Sequence, residues 1–594
     1  MPKPATAADM IEAGLASEGR GDMASAEGFF RSAVALDPHL APARYNLALA
    51  YLGAGDLERA EGEFREALRL RPEFPEAWVG LAEVLESSGR AGMALEALDA
   101  AIALRTDYAG ALFNAALLLR KLGRLDEAET RLRSVPQDHP DHANALTALA
   151  AILRDQGRVE DAVEATRAVV DSLPDSGVAQ SEYLFTLGFS ERVSTEGLFA
   201  EHLWAGCRAE AESKPWCAGF GNTPDPGRIL NVGYLSGDFR GHSVALFTEF
   251  LFERHRRDRV RVHAYSSTTE HDAITTRFVA KADVWRDLRG QTDAATARMI
   301  LEDGIDILVD LSGHTSCMRI GVLAGRAAPV QMTWLGYINT TGLTRVDYRI
   351  TDAVADPAGL AEKFHTERLL RLPHSQWCFR PPAAAQEPGI ACDPAPRAFT
   401  FGSFNQFAKI SESTLSLWIG ALKAAPSSRL LAVGVPLGSA TSRLIGKLGA
   451  AGIERSRYDL VERVPLASYY ALHARVDACL DSTPYSGGTT TCDALWMGVP
   501  VVTLAGERSM SRSAASLVTT LGRPDLVART PGQFAAIAAG LADRGLLSGP
   551  AREALRGRMA ASPLMDEPGF TVALEDAYRS AWVEWCGLQR SAGR

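Results

Sequence analysis

The chain has 594 residues, of which 46% are hydrophobic and 23% are charged, and its formal net charge is −10 at pH 7. This composition at this length predicts a globular protein of about three or four domains. The acidic balance argues against a nucleic-acid or anionic-membrane partner, because either would need a basic surface.

Cysteine usage and hydropathy indicate the compartment. Eight cysteines are scattered along the chain without a CxxC pair, which is typical of a reducing environment and not of a disulfide framework or a zinc site. The first residues, MPKPATAADM, lack the apolar core of a secretory signal, and no stretch offers about 18 uncharged apolar residues. We therefore expect a cytoplasmic protein without a membrane partner.

Residues 7–174 repeat with a period of 34 residues, the tetratricopeptide period. In each unit a glycine should turn the first helix into the second, an alanine should let the two helices approach, and a proline should end the second helix. The three ladders are Gly21, Gly55, Gly89, Gly123 and Gly157; Ala26, Ala60, Ala94, Ala128 and Ala162; and Pro38, Pro72, Pro140 and Pro174, with Thr106 in the place of the remaining proline. We predict an α-solenoid of five repeats that binds a protein acceptor, the alternative being a purely supporting array.

Residues 175–227 are predicted to be a helical connector, after which strand and helix patterns alternate in two blocks joined by the proline-rich residues 381–396. The predicted strands are residues 229–235, 260–265, 306–311, 330–335 and 346–351, followed by 399–403, 429–434, 478–481 and 501–504. Such alternation predicts α/β architecture with two doubly wound, Rossmann-like halves, residues 228–390 and 397–560. Ligands should bind at the carboxyl ends of the strands, and a last helix within residues 561–590 should pack back on the fold.

Residues 479–506, CLDSTPYSGGTTTCDALWMGVPVVTLAG, contain the most informative loop. Small residues stand before a predicted helix over residues 492–497: Ser486, Gly487, Gly488, Thr489, Thr490 and Thr491. The first N–H groups of a helix are unpaired and its amino end is partly positive, so a pyrophosphate fits there, and the threonine hydroxyls would add donors. We predict the phosphate-binding part of a nucleotide-sugar site, although a glycine-rich turn of this kind is also common as plain structure.

Polar residues also follow three strands of the two blocks. Asp238 and His242 come after the first strand, where His242 would orient an acceptor hydroxyl or take its proton, or would only cap the loop. His314 follows the 306–311 strand and either lines the sugar pocket or is a structural histidine. Tyr337 and Thr340 belong to a loop, residues 336–342, that we predict to be part of the sugar or acceptor wall.

Gln406 and Lys409 follow the first strand of the second half. Lys409 can meet a diphosphate leaving group whose charge grows in the transition state, and Gln406 can bond a phosphate or the base. The alternative for Lys409 is a solvated surface lysine. Because a lysine and a helix end would neutralise the leaving group, we predict no metal and no cofactor other than the nucleotide-sugar co-substrate.

These motifs resemble those of the O-GlcNAc transferase/SPINDLY family of tetratricopeptide-fused glycosyltransferases. The resemblance covers the repeats, GYLSGDFRGHS (233–243), DILVDLSGHTS (306–316), APVQMTWLGYINTTGLTRVDYRITD (328–352), FGSFNQFAKI (401–410) and residues 479–506. It implies a GT-B fold, metal-independent inversion at the anomeric carbon, and transfer to Ser or Thr hydroxyls of proteins. It also implies that His242 lies near the acceptor, that Lys409 holds the diphosphate, and that Thr489, Thr490 and Asp493 bind the nucleotide.

The resulting hypothesis is an inverting protein O-glycosyltransferase whose repeats recruit the acceptor, with flagellin plausible because some bacterial relatives glycosylate it. The donor stays open, since HTS, TTGL and DYRITD resemble the SPINDLY branch, whose plant members transfer fucose, and Gln406 resembles the GlcNAc branch. Two alternatives are a binding or scaffold protein with a decayed transferase half, and a GT-B enzyme that acts on a non-protein acceptor. The oligomeric state stays open.

Overall fold

The structure, a computed structural model, describes residues 6–386 and 397–592. The chain divides into two compact units, Met1–Ile152 and Leu153–Arg594. The predicted junction between the two α/β halves, residues 381–396, lies partly outside the described residues, because residues 387–396 are not described.

Pairs of helices of nearly equal length form the repeats. They are α1 (Ala7–Glu18), α2 (Met23–Leu36), α3 (Ala41–Gly53), α4 (Leu57–Leu70), α5 (Pro75–Ser87), α6 (Ala91–Leu104), α7 (Ala109–Lys121), α8 (Leu125–Arg133), α9 (His142–Asp155) and α10 (Val159–Ser172). The turn inside each pair contains the ladder glycine with φ between +70° and +79°, a conformation that side chains disfavour. The ladder alanines are at most 2% exposed, so the predicted helix repeat is confirmed.

In the fourth repeat the ladder proline does not mark the end of the second helix. Helix α8 has only nine residues and ends at Arg133, well before Pro140, so the prediction that this proline ends the helix is wrong. Pro136 lies closer to the helix end and cannot continue a helix, because its ring occupies the N–H position. The repeat period is therefore kept while the helix itself is shorter.

Two further helices, α11 (Gly177–Leu187) and α12 (Thr195–Glu212), follow the repeats. Helix α12 lies directly against the first α/β half: a Cβ added to Gly206 would fall 1.9 Å from the carbonyl oxygen of Gly342. Backbones can approach this closely only where both residues lack side chains. The predicted connector is thus helical as far as Glu212, and residues 213–227 contain no helix or strand.

The first half is a seven-stranded parallel sheet in the order β3-β2-β1-β4-β5-β6-β7. Its elements are β1 (Leu230–Ser236), α13 (Ala245–Arg254), β2 (Val260–Ser266), α14 (Ala273–Lys281), β3 (Val284–Asp287), α15 (Asp293–Glu302), β4 (Ile307–Asp310), α16 (Ile320–Ala324), β5 (Val330–Thr333), β6 (Tyr348–Asp352) and β7 (Arg368–Leu372). The order reverses between β1 and β4, which is where doubly wound sheets bind ligands.

The second half is a six-stranded parallel sheet in the order β10-β9-β8-β11-β12-β13. Its elements are β8 (Thr400–Ser403), α17 (Glu412–Ala424), β9 (Arg429–Val433), α18 (Ser439–Ala450), β10 (Tyr458–Val461), α19 (Leu466–Leu472), β11 (Ala478–Leu480), α20 (Thr489–Trp496), β12 (Val501–Leu504), α21 (Ser513–Thr520), β13 (Val527–Ala528), α22 (Pro531–Asp543) and α23 (Gly549–Ala560). The reversal lies between β8 and β11. The predicted pair of doubly wound halves is confirmed.

The last helix, α24 (Glu567–Ala592), belongs to the second half in sequence but packs on α13, β5 and β7 of the first half. Buried contacts hold it there: His255 at the end of α13 bonds Glu575 at 3.0 Å, and Tyr578 bonds Tyr234 at 3.1 Å. In residues 6–386 and 397–592 we find no helix whose length and apolar content would let it cross a bilayer.

Candidate active site

Most predicted site residues follow the two strands that flank each reversal of strand order, whereas Tyr337 and Thr340 follow β5. In the first half, Asp238 and His242 follow β1 and His314 follows β4. In the second half, Lys409 follows β8, and the glycine–threonine loop follows β11. Both groups therefore lie where parallel sheets place their ligand sites.

Lys409 is half-buried, on a short 3₁₀ turn, Phe407–Lys409. Its Nζ donates to the carbonyl oxygen of Ser486 at 3.0 Å and lies 4.3 Å from the ring centroid of Tyr485. Burial lowers the pKa of Lys409 to about 8, while the carboxylate of Asp481 acts to raise it. The lysine is therefore no solvated surface residue, and its charge lies at the phosphate loop.

The loop between β11 and α20 presents backbone N–H groups. Gly487 N donates to Asp481 Oδ1 at 2.8 Å, and the amides of Thr491 and Cys492 donate back to the Gly488 carbonyl at 3.1 Å. Within the described chain, the amides of Gly488, Thr489 and Thr490 have no acceptor. Three unpaired N–H groups at the amino end of a helix form an anion-binding surface.

The threonines lie differently from the prediction. Helix α20 starts at Thr489 and not at residue 492, so the threonines form its first turn. The hydroxyl of Thr490 donates to Asn405 Oδ1 at 2.6 Å and that of Thr491 to the Gly487 carbonyl at 3.0 Å. Two of the three hydroxyls thus brace the loop, which leaves the Thr489 hydroxyl and the amides as its free donors.

The loop leaves no room for a side chain at Gly487. A Cβ on Gly487 would lie 2.7 Å from Thr490 Oγ1, 2.8 Å from Thr491 Oγ1 and 2.9 Å from Asn405 Oδ1. Real Cβ atoms do not approach other atoms this closely, so the first turn of α20 would have to move.

Asp481 and Asn405 support the loop, and the sequence analysis assigned no role to either. Buried Asp481 accepts from Thr503 Oγ1 at 2.7 Å and from Asn405 Nδ2 at 3.3 Å, besides the Gly487 amide. Burial raises the pKa of Asp481, and these donors act against that rise. The usable signal was an aspartate at the end of a buried strand, directly before a glycine-rich loop.

Asp493 and Gln406, both predicted nucleotide contacts, have unlike surroundings. Asp493 is buried, and its two carboxylate oxygens accept from the hydroxyls of Tyr469 at 3.0 Å and Tyr470 at 2.9 Å. Burial raises its pKa to about 7. Gln406 is exposed, and its backbone carbonyl oxygen accepts a hydrogen bond from the Lys409 backbone N–H at 2.9 Å.

His242 lies in the loop before α13, because that helix starts at Ala245. Its imidazole is 41% exposed, and its Nδ1 lies 3.5 Å from Oδ2 of the buried Asp238. Burial lowers the pKa of His242 and raises that of Asp238, and the attraction between them opposes both shifts. Nδ1 also lies 3.4 Å from the amide nitrogen of Val244. The nearby carboxylate favours a proton on Nδ1, and that tautomer would leave Nε2 to accept a proton.

His314 is surrounded by protein. Its Nε2–H donates to the Thr341 carbonyl at 2.8 Å, which leaves Nδ1 to accept from Ser181 Oγ at 2.8 Å. Burial lowers its pKa to about 4, so it is neutral. Of its two predicted roles, a sugar-pocket residue or a structural histidine, these contacts fit the structural histidine.

Tyr337 and Thr340 also lie in the interior. The Tyr337 hydroxyl lies 2.6 Å from Nε2 of His202 on α12, and the Thr340 hydroxyl donates to Glu367 Oε2 at 2.6 Å. Both residues are at most 2% exposed. Their side chains tie the 336–342 loop to α12 and to the residues before β7.

Trp377 connects the two groups of site residues. Its ring lies 5.2 Å from that of Phe247 on α13, and its Cη2 is 3.6 Å from the position a Cβ on Gly488 would take. The buried indole N–H has no hydrogen-bond partner among the described residues. One side chain thus spans from α13, the helix that follows His242, to the loop before α20, and no sequence motif marked it.

Comparisons with known proteins agree with this architecture. The model of glycosyl transferase family 41 matches residues 217–379 and 394–573, more than half of the chain. Tetratricopeptide repeat models match residues 19–65, 45–109 and 113–177.

A protein from Petunia hybrida described as "Probable UDP-N-acetylglucosamine--peptide N-acetylglucosaminyltransferase SPINDLY" is 39% identical over 417 residues, which are 68% of this chain and 44% of the relative. The protein of that description from Arabidopsis thaliana is 38% identical over 68% of this chain and 45% of its own length. The chain therefore spans less than half the length of these curated relatives.

Among solved structures, a lysine-to-methionine mutant of Thermobaculum terrenum O-GlcNAc transferase superimposes with a TM-score of 0.79. Sequence identity is 34%, and the superposition covers 87% of this chain and 98% of that one. The similarity therefore includes both the helical and the α/β parts.

Proposed function

The chain belongs to glycosyl transferase family 41, and we propose that it is an inverting, metal-independent protein O-glycosyltransferase. The observation that carries the proposal is the position of the Lys409 ammonium on the loop that also presents three unpaired amides. A cation and a helix end together suit a departing nucleoside diphosphate.

The proposed reaction is a single displacement. The hydroxyl oxygen of an acceptor Ser or Thr attacks the anomeric carbon while the bond from that carbon to the diphosphate oxygen breaks. The bonding pair leaves with the diphosphate, whose growing charge meets Lys409 and the amides of α20. The hydroxyl proton passes to a base, and Nε2 of His242, oriented by Asp238, is the group we propose for it.

The proposal also names a donor and an acceptor to test first. The names of the relatives make UDP-N-acetylglucosamine the first donor to test, and the SPINDLY-like motifs make GDP-fucose the second. The repeats support a protein acceptor, with flagellin the first candidate. The seven described cysteines are free thiols, which supports a reducing, cytoplasmic setting.

Intact-mass measurement tests the proposal directly. The full chain is incubated with each nucleotide sugar and candidate acceptor in EDTA, and the mass added to the acceptor identifies the sugar. Lys409→Met should abolish the mass increase, and His242→Ala should reduce its rate by about 10²–10⁴ while nucleotide binding persists. Full transfer by Lys409→Met would refute the role of the lysine, and absence of transfer with every pair would favour a binding protein.

A further inference from the structure

The ammonium of Lys409 is held by two consecutive residues of the phosphate loop. Ser486 supplies a carbonyl oxygen at 3.0 Å, and Tyr485 supplies the face of its ring at 4.3 Å. A carbonyl fixes one direction of approach, and an aromatic face attracts a cation from another side. The lysine head therefore has a defined position, set by the loop that also carries the free amides.

Tyr485 itself is held from outside the second half. Its ring stacks on Phe189 with centroids 4.8 Å apart and planes 19° apart, and Phe189 meets Phe185 edge to face at 5.3 Å. Phe189 lies just past the end of α11 and is 4% exposed. Two aromatic contacts therefore run in series from the connector to the catalytic lysine.

The same cluster includes the last repeat. Val159 and Val163 of α10 pack with Phe189 and Tyr485 against Ala408, the residue before the lysine. Beside them, the turn before α10 has no spare room, since a Cβ on Gly157 would lie 3.0 Å from the ring of Phe407. The 3₁₀ turn that carries Lys409 is thus packed by the fifth repeat and the connector.

We infer that Tyr485, backed by Phe189, is a positioning residue that holds the Lys409 ammonium towards the diphosphate. Helix α10 and the connector are by this inference a wall of the donor site. The inference rests on the proposed role of Lys409. It adds two side chains to that role, one of them from outside the α/β halves.

A double-mutant cycle in the full chain tests the inference, with the affinities for UDP, GDP and their monophosphates as readout. Tyr485→Leu should weaken binding of the diphosphate about tenfold relative to the monophosphate, because it removes the ring face. The conservative variant Tyr485→Phe keeps the ring and should rescue the affinity to within about twofold. In a Lys409→Met background, Tyr485→Leu should have no further effect.

Phe189→Leu is the second variant, in case Tyr485→Leu does not fold, and should lower the diphosphate-to-monophosphate ratio about threefold. Phe399→Leu is the matched control, since this ring of the second half meets Phe401 at 5.1 Å and not Tyr485. An equal loss from Tyr485→Leu with and without the lysine would overturn the inference, as would unchanged binding in both Tyr485→Leu and Phe189→Leu. Unchanged diphosphate binding by Lys409→Met alone would instead refute the underlying role of the lysine.

Discussion

Lys409 combines a positive charge with surroundings that disfavour it. Burial lowers its pKa to about 8 from an ordinary value near 10.5. A lysine whose pKa is depressed in the folded state loses its proton at a lower pH there than in the unfolded chain. Its contribution therefore makes folding more favourable as pH rises from about 8 to about 10.5. Binding of a diphosphate has the opposite dependence, because it requires the charged form.

We predict that the affinity for a nucleoside diphosphate falls about tenfold between pH 7.5 and pH 9, as the free lysine loses its proton. Lys409→Arg, which stays charged, should bind with an affinity that hardly changes over this range. Calorimetric titration at several pH values measures both. A parallel decline in the two proteins would place the titrating group elsewhere.

Other residue roles differ in how visible they were from sequence. The positions of Lys409 and His242 were predictable, because parallel sheets bind ligands at the carboxyl ends of their strands, whereas the chemical roles of both residues stay predictions. His314, Tyr337 and Thr340 share that sequence position, but their polar atoms bond to α12 and to residues near β7, which are distant in sequence. Local pattern cannot distinguish a loop facing a cavity from one covered by another helix.

At the scale of elements, the first turn of α20 and the loop before it act as one braced unit. We predict that Gly487→Ala lowers diphosphate affinity at least about tenfold, because the new methyl group displaces the turn that presents the amides. Gly446→Ala, on α18 of the same half with no atom within 4 Å of its Cβ position, is the control. Binding curves for the two variants measure the diphosphate affinities. Equal affinities would show that the loop can shift without loss of diphosphate binding.

Two glycines of the second repeat, one in the turn and one inside a helix, give a matched pair for measuring the cost of the left-handed conformation. Gly55→Ala should destabilise the first unit by about 1–2 kcal/mol, because φ is +79° there. Gly62→Ala, inside α4 with open space around its Cβ position, should stabilise that unit by about 0.5–1 kcal/mol. Denaturant unfolding followed by circular dichroism compares them. Shifts of the same sign would contradict the left-handed turn.

Element boundaries show where sequence patterns were sufficient. The predicted central strands match β1, β2, β4 and β5 closely, because buried parallel strands are continuous apolar runs. All four edge strands, β3, β7, β10 and β13, were missed, since most of their side chains are half-exposed or exposed and they carry no such run. Helix α20 was placed too late because threonines disfavour helix interiors, whereas here their hydroxyls find partners in the loop.

At the scale of the whole molecule, the repeat array in sequence and the compact units in space have different ends. The repeats extend to residue 174, but the second unit begins at Leu153 and includes α10. The 34-residue period could not reveal this, because the contacts of Gly157 and Val159 are with residues about 250 positions later in the chain.

We predict different outcomes for two truncations. Removing residues 1–140 keeps α9 and α10, so slow hydrolysis of the nucleotide sugar should persist while transfer to a protein acceptor is lost. Removing residues 1–174 also takes away α10 and the packing behind Lys409, so hydrolysis should be lost too. Release of free sugar measures the first activity and acceptor mass the second. Equal hydrolysis by both truncations would show that α10 is dispensable for the donor site.

Trp377 gives the protein an optical reporter of its own ligand. Its indole lies beside Gly488 at the start of α20 and packs on the Phe247 ring, so we expect a movement of that turn to alter the polarity and quenching around the fluorophore. The emission difference between the parent chain and Trp377→Phe isolates this signal from the other nine tryptophans. Rapid-mixing fluorescence can then follow the arrival of a nucleotide in real time without any label.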